Sequence, residues 1–190
     1  MAKLESSLKN MVLCLLLMSI VMSAALGFVY VITKKPIEDT NKKVEIDAVK
    51  NVLPNFDNDP TKDVKTIDGL VYYVATQSGD TVGCAVKTYT NKGFAGHFEI
   101  MVGFKPDGTI YKTAVLDMKE TPGLGDKMKN PKWRNQFNEK NPVSYRLKVK
   151  KDGGDVDAIT ASTITSRAFC DAITRAYDGF MKNISNTIKK

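Results

Sequence analysis

From Met11 to Thr33 the chain carries no charged residue. A run of about 23 residues, rising ~1.5 Å each, is long enough to cross a hydrocarbon core of ~30 Å. It is longer than the ~7–15 apolar residues of a cleavable signal. Ser23-Ala24-Ala25 has the small residues of a cleavage site, but the apolar run continues from Leu26 to Ile32. The stretch therefore predicts an uncleaved signal anchor, with Tyr30 at an interface position. Lys3, Lys9 and the amino terminus lie on one side and Lys34 and Lys35 on the other, so charge alone leaves the orientation nearly tied. The expected division is a short tail over 1–10, a transmembrane helix over 11–33, a helical linker over 34–65 and a domain over 66–190. The part beyond the span is large enough to bury its own core.

Lys34-Lys35-Pro36 ends the span in this reading, and Pro36 enters the first turn of a second helix. That helix runs over 37–53 and stops before Pro54. Asn55 to Lys65 is a polar loop. Four strands follow, over Gly69–Thr76, Thr81–Tyr89, Phe94–Phe104 and Thr109–Asp117, each rich in β-branched or aromatic residues. Ser78-Gly79-Asp80 is a turn, and Lys105-Pro-Asp-Gly108 makes the third and fourth strands a hairpin. Asn130 to Phe137 predicts a short helix with Trp133 and Phe137 on one face, Trp133 anchored in the core. Val143, Tyr145, Leu147 and Val149 alternate with polar residues, which predicts a one-sided strand. Near Thr165 a long amphipathic helix begins, its apolar face running through Ala168, Phe169, Ala172, Ile173, Ala176, Phe180, Ile184 and Ile188. The class is α+β: a small domain with a twisted, mostly antiparallel sheet packed by helices, the last helix covering the sheet.

The net charge is +7. The excess lysines are scattered, and no basic stripe interleaved with aromatics marks a nucleic-acid surface. A basic surface near anionic lipid suits the pattern better. Three cysteines and a single histidine, His97, with no Cys-x-x-Cys, are too few ligands for a zinc or iron–sulfur site. Cys84 and Cys170 read as two buried thiols, or as a pair in an oxidising compartment. His97 reads as a half-buried strand histidine, and with no nucleophile elbow for it to serve a hydrolase is a poor reading.

Two stretches carry chemistry. In Asp157-Ala-Ile-Thr-Ala-Ser-Thr-Ile-Thr-Ser166, five hydroxyl residues fall within seven positions where a turn enters the last helix. Such a cluster is either a set of helix caps or the seat of a phosphate, since the first N–H groups of a helix lack partners. Upstream, Glu120-Thr-Pro-Gly-Leu-Gly125 follows a strand directly. Its proline and glycines permit a tight loop with close backbone approach.

In this order, behind a single span, the two stretches resemble the covalently flavinylated FMN-binding domain shared by RnfG, of the Rnf electron transport complex, and the related NqrC. The likeness runs from Ile46 to about Tyr177. Val52-Leu53-Pro54 matches the end of a helix that the family places there. The family pattern is Asp-x-x-(Ser/Thr)-Gly-Ala-Thr-x-(Ser/Thr). Asp157, Thr160, Thr163 and Thr165 match it, and Ala161-Ser162 replaces Gly-Ala. Glycine adopts a positive φ most easily, so a left-handed turn here would strain Ala161.

The resemblance implies that Thr163 carries FMN through a phosphoester. Thr160, Ala161, Ser162, Ile164 and Thr165 would lie around the phosphate, and Glu120, Thr121, Gly123 and Leu124 beside the ring. It implies an electron-carrying subunit, with no catalytic residue of its own, of an ion-translocating ferredoxin:NAD oxidoreductase in the cytoplasmic membrane. The soluble domain would stand outside the cytoplasm. Implied partners are the other membrane subunits, membrane lipid, and a separate magnesium-dependent flavin transferase. RnfG is preferred to NqrC because the chain is short and passes straight from span to domain. The competing reading is a flavin-free, membrane-anchored structural subunit.

Overall fold

Two-residue turns set the register of the sheet. In the computed structural model, which describes residues 7–185, Ser78 (φ 55°) and Gly79 (φ 93°) both take the left-handed conformation that a tight hairpin demands. They join β2 (Leu70–Gln77) to β3 (Asp80–Gly93). Asp68 and Gly69, with φ of 54° and 75°, do the same between β1 (Lys65–Ile67) and β2. Residue 65 was expected to end a polar loop; the Asp-Gly pair is the signal that marks this short strand. β4 (Gly96–Phe104) and β5 (Ile110–Met118) are joined by Lys105–Thr109, where the Gly108 N–H donates to the Lys105 carbonyl at 2.9 Å. The result is a five-stranded meander in the order β1-β2-β3-β4-β5, antiparallel throughout.

Both faces of this sheet are covered, which is why its strands read as nearly continuous apolar runs. One face presents Tyr72, Val86, Phe98, Ile100, Val102 and Phe104 to α3 (Thr163–Asn183), whose Phe169, Ala172, Ile173, Ala176 and Phe180 are all fully buried. The expected last helix is therefore in place, starting two residues earlier than its periodicity indicated; Ile188 lies outside the described residues. The opposite face presents Tyr73, Ala75, Ala85 and Met101 to Ala48, Val49, Val52 and Leu53.

Those four residues lie in and just after the last turn of α1 (Leu8–Val52). The helix break expected at Pro36 is absent: Pro36 sits inside the helix. Proline removes one N–H and crowds the preceding turn, which disfavours a helix without forbidding it. The segment expected as a linker over 34–65 thus continues α1, and its end supplies core to the sheet. The chain separates into two compact units, 1–43 and 44–190. In the first, the apolar side chains from Leu8 to Ile32 are exposed, and the helix is long and apolar enough to cross a membrane.

Two further expectations change. No strand forms over Val143–Val149. Asn141 takes up the local backbone instead: its carbonyl accepts from the Ser144 and Tyr145 N–H groups, and its side chain accepts from Val143 N. Only Val149 makes a β-bridge, a parallel one with Val156. The expected short helix appears as α2 (Pro131–Arg134) followed by a 3₁₀ turn over Asn135–Phe137. Cys84 and Cys170 are free and buried, and burial pushes each thiol up to about 12.

Candidate functional site

The two chemistry-bearing stretches meet. A cavity of about 300 Å³ is lined by Glu120, Thr121, Leu124 and Gly125 on one side and by Ala161, Ser162, Thr163 and Ile164 on the other, with Phe94 at its edge. That volume is at the low end for ligand pockets, which run ~300–1,000 Å³. Phe94, Leu124 and Ile164 are exposed to 67%, 39% and 48%, so the cavity has an apolar, solvent-facing rim.

The hydroxyl cluster divides by role. Ser166 Oγ accepts from Ile159 N at 2.9 Å and donates to the Ser162 carbonyl at 3.0 Å, which ties the incoming turn to the helix. Ser162 Oγ donates to Thr165 Oγ1 at 2.8 Å, and both residues are buried. These three hydroxyls are spent on the fold. Thr163 is different. It is the first residue of α3, half-buried on the cavity wall, and its hydroxyl makes no hydrogen bond among the described residues. Ser162 stands at the N-cap position but its side chain caps nothing. The first N–H groups of α3 are thus left without side-chain acceptors, beside the free Thr163 hydroxyl and at the positive end of the helix dipole.

Ala161 has φ of 62°, so the left-handed turn does fall on a residue with a Cβ. Thr160 is exposed and does not line the cavity, and Thr165 points into the fold toward Ser162. Gly123 (φ 78°) shapes the 120–125 loop without lining the cavity. His97 lies on β4 with its side chain 45% exposed, its Nδ1 2.7 Å from Asn91 Oδ1 and its ring 5.7 Å from that of Tyr89; it does not line the cavity. Trp133 packs edge-on against Phe137 and Phe169, and its Nε1 donates to the Asp157 carbonyl at 2.7 Å. Its role is to hold the start of the hydroxyl turn. The Asp157 carboxylate pairs with Lys150 at 2.7 Å.

Glu120 is 7% exposed. One carboxylate oxygen accepts weakly from Ala95 N at 3.4 Å, and Oε2 is buried with no partner. A Cβ on Gly93 would come within 2.6 Å of this carboxylate, and one on Gly125 within 2.5 Å. Two glycines thus make room for a buried acid at the cavity wall. Sequence reasoning missed Phe94 and Gly125. The signal for Phe94 was a large aromatic between Gly93 and Gly96, where a hairpin turn has no core to fill. For Gly125 it was the second glycine of the loop.

An apolar wall, unpartnered donors at a helix start, a free hydroxyl between them and a buried acceptor together fit a ligand with a flat apolar body and a phosphate. Residues 93–178 match the family model of the FMN-binding domain. The chain is 33% identical over 178 residues to the G subunit of the Na(+)-translocating ferredoxin:NAD(+) oxidoreductase complex of Acetobacterium woodii, covering 85% of this chain and 86% of that one. It is 32% identical over 179 residues to the G subunit of the ion-translocating oxidoreductase complex of Vibrio atlanticus, with coverage of 85% and 86%. The fold resembles the crystal structure of Shewanella oneidensis NqrC, with a TM-score of 0.51 at 22% identity over 72% of this chain and 69% of that one. Matched to such relatives over nearly their whole length, this chain belongs to the family of G subunits of ion-translocating oxidoreductase complexes.

Proposed function

We propose that this chain is the electron-carrying subunit of an ion-translocating oxidoreductase and holds FMN by a phosphoester at Thr163. The observation that carries the reading is the juxtaposition of a free Thr163 hydroxyl, the uncapped start of α3 and the 120–125 loop around one cavity. When bound, the flavin supplies the electron-carrying chemistry, and the protein supplies attachment, orientation and electrostatics. Attachment would replace the Thr163 O–H bond by an O–P bond while the P–O bond to the donor's leaving group breaks, the leaving group and the proton departing with the separate flavin transferase; Thr163 would then be an anchor, not a catalytic nucleophile. The N–H groups of the first turn of α3, which no side chain caps, would hold the phosphate oxygens. Leu124, Ile164 and Phe94 would offer apolar surface to the ring, and Glu120, whose Oε2 has no partner, would accept a hydrogen bond from its polar edge.

By the same reading, residues 11–33 of α1 span the cytoplasmic membrane and the domain stands on the extracytoplasmic side. There, covalent attachment prevents loss of the cofactor by dilution. The partners are the other membrane subunits, anionic lipid and a separate flavin transferase. The test is intact mass of the chain expressed with its native flavin transferase, followed by peptide mapping over 157–167. The expected result is an increment equal to FMN less one water at Thr163, absent from a folded Thr163→Ala variant. An unmodified Thr163 under those conditions would make the chain a flavin-free, membrane-anchored subunit.

A further inference from the structure

A larger cavity, about 580 Å³, lies along β5 and shares no lining residue with the one at Thr163. Arg134 of α2 lines it. One arm of its guanidinium donates to the Thr113 carbonyl at 2.6 Å, and its Nε is buried without an acceptor. No carboxylate compensates this cation among the described residues, and burial holds its guanidinium below the usual arginine range. A half-buried charge without a partner is costly, and one is retained most readily where a ligand supplies the counter-charge. Thr113 gives an independent sign: it is 6% exposed, lines the same cavity, and its hydroxyl has no partner.

Lys112 and Lys129 line the cavity too, and neither forms an ion pair among the described residues; Asp47 is the one acid among the described residues that line it. Asn135 and Asn138 add amide groups. The Thr113 carbonyl holds Nη1 of Arg134, which leaves the Nε/Nη2 edge of the guanidinium to grip two oxygens of an anion, and a carboxylate has no third oxygen for the remaining donors. Donors carried on β5, on α2 and on the residues flanking α2 suit a tetrahedral anion better. The cavity has room for more than the anion alone.

We propose that this cavity binds the phosphate group of an organic phosphate, whether free in solution or in a phospholipid headgroup. Arg134 and the Thr113 hydroxyl bind at its floor, and Lys112 and Lys129 bind at its mouth.

The test is calorimetric titration of the full chain, in neutral detergent at constant ionic strength, with glycerol 3-phosphate, and with glycerol as the uncharged control. Saturable binding of one equivalent is expected for glycerol 3-phosphate only. Arg134→Gln is expected to weaken it at least tenfold. The exposed pair Lys112→Gln/Lys129→Gln, which does not touch the core, is expected to weaken it about tenfold. Thr163→Ala is expected to leave it unchanged, which separates this site from the flavin site. Repeating the titration in phosphatidylglycerol nanodiscs distinguishes the sources: lost binding there identifies the headgroup as occupant, and retained binding identifies a free phosphate. Absence of saturable binding by the wild-type chain, or wild-type affinity retained in both the Arg134→Gln and the double-lysine variants, would overturn the proposal.

Discussion

Ala161 is the residue at which local strain and site meet. Its φ of 62° places a Cβ where glycine would rest without cost, and it does so on an exposed turn with no packing to change. A left-handed non-glycine residue costs roughly 1–2 kcal/mol, while glycine loses up to about 1 kcal/mol to greater freedom in the unfolded chain. Ala161→Gly is therefore expected to stabilise the domain by about 0.5–1 kcal/mol, read as a rise in the thermal midpoint of the unmodified chain; a fall would show that the turn is not strained. Ser166→Ala is expected to act in the opposite direction. It removes a buried hydroxyl that accepts from Ile159 N and donates to the Ser162 carbonyl, at a cost of about 1–3 kcal/mol. The same change should leave the Thr163 hydroxyl free to be modified, so stability and flavin content, measured together, separate the structural hydroxyls from the anchoring one. By composition and spacing the five hydroxyls had equal claims, and the family resemblance alone singled out Thr163. Only the hydrogen bonds show that Ser162, Thr165 and Ser166 serve the fold and Thr163 does not.

At the scale of elements, the end of α1 against the sheet controls stability. A Cβ on Gly103 would fall 1.7 Å from the Val52 carbonyl oxygen, a backbone atom that cannot swing away. Gly103→Ala is expected to cost at least about 3 kcal/mol, or roughly 10 °C in thermal midpoint for a domain of this size. Beside this contact, Glu45 pairs with Lys87 at 2.8 Å and accepts from the Tyr73 hydroxyl, and Lys87 also reaches Glu99 at 3.2 Å. Burial alone would raise the Glu45 carboxyl, but the bonds from Lys87 and Tyr73 outweigh it and hold the group below the usual carboxylate range. A depressed carboxyl stabilises fully above its unfolded pKa, ~4.3 for glutamate, and that contribution is lost as pH falls through the lower folded value. Glu45→Gln should therefore lower the thermal midpoint at pH 7, and the gap to wild type should shrink below about pH 4. A gap independent of pH would show that the charge is not its source. Regular elements were legible because their periods are local: α3 and the four longer strands fell within a few residues of their expected positions. The strand expected over Val143–Val149 failed because Asn141 ties up its backbone in turns, an effect that alternation of side chains does not register.

For the whole molecule, the question is where the folded domain begins. Val49, Val52 and Leu53 are nearly fully buried against the sheet. Burying side chains of this kind contributes on the order of 1.5–3 kcal/mol each, comparable in sum with the ~5–15 kcal/mol of net stability that a domain commands. A chain starting at Ile37 is expected to be soluble and folded by circular dichroism, and one starting at Asn55 to be unfolded or aggregated. A well-folded chain from Asn55 would show that the second core is dispensable. By itself the sequence determined the membrane-length apolar run, the antiparallel hairpins, the last amphipathic helix and the two motifs, because each is written in neighbours along the chain. The tertiary structure decided the rest. It carried α1 through Pro36 and gave its end to the sheet, placed Phe94 and Gly125 at the cavity, left Thr160 and His97 outside it, and set Arg134 without a counter-charge beside β5. These outcomes depend on which distant groups share buried space and hydrogen bonds, and no period or spacing along the chain encodes that.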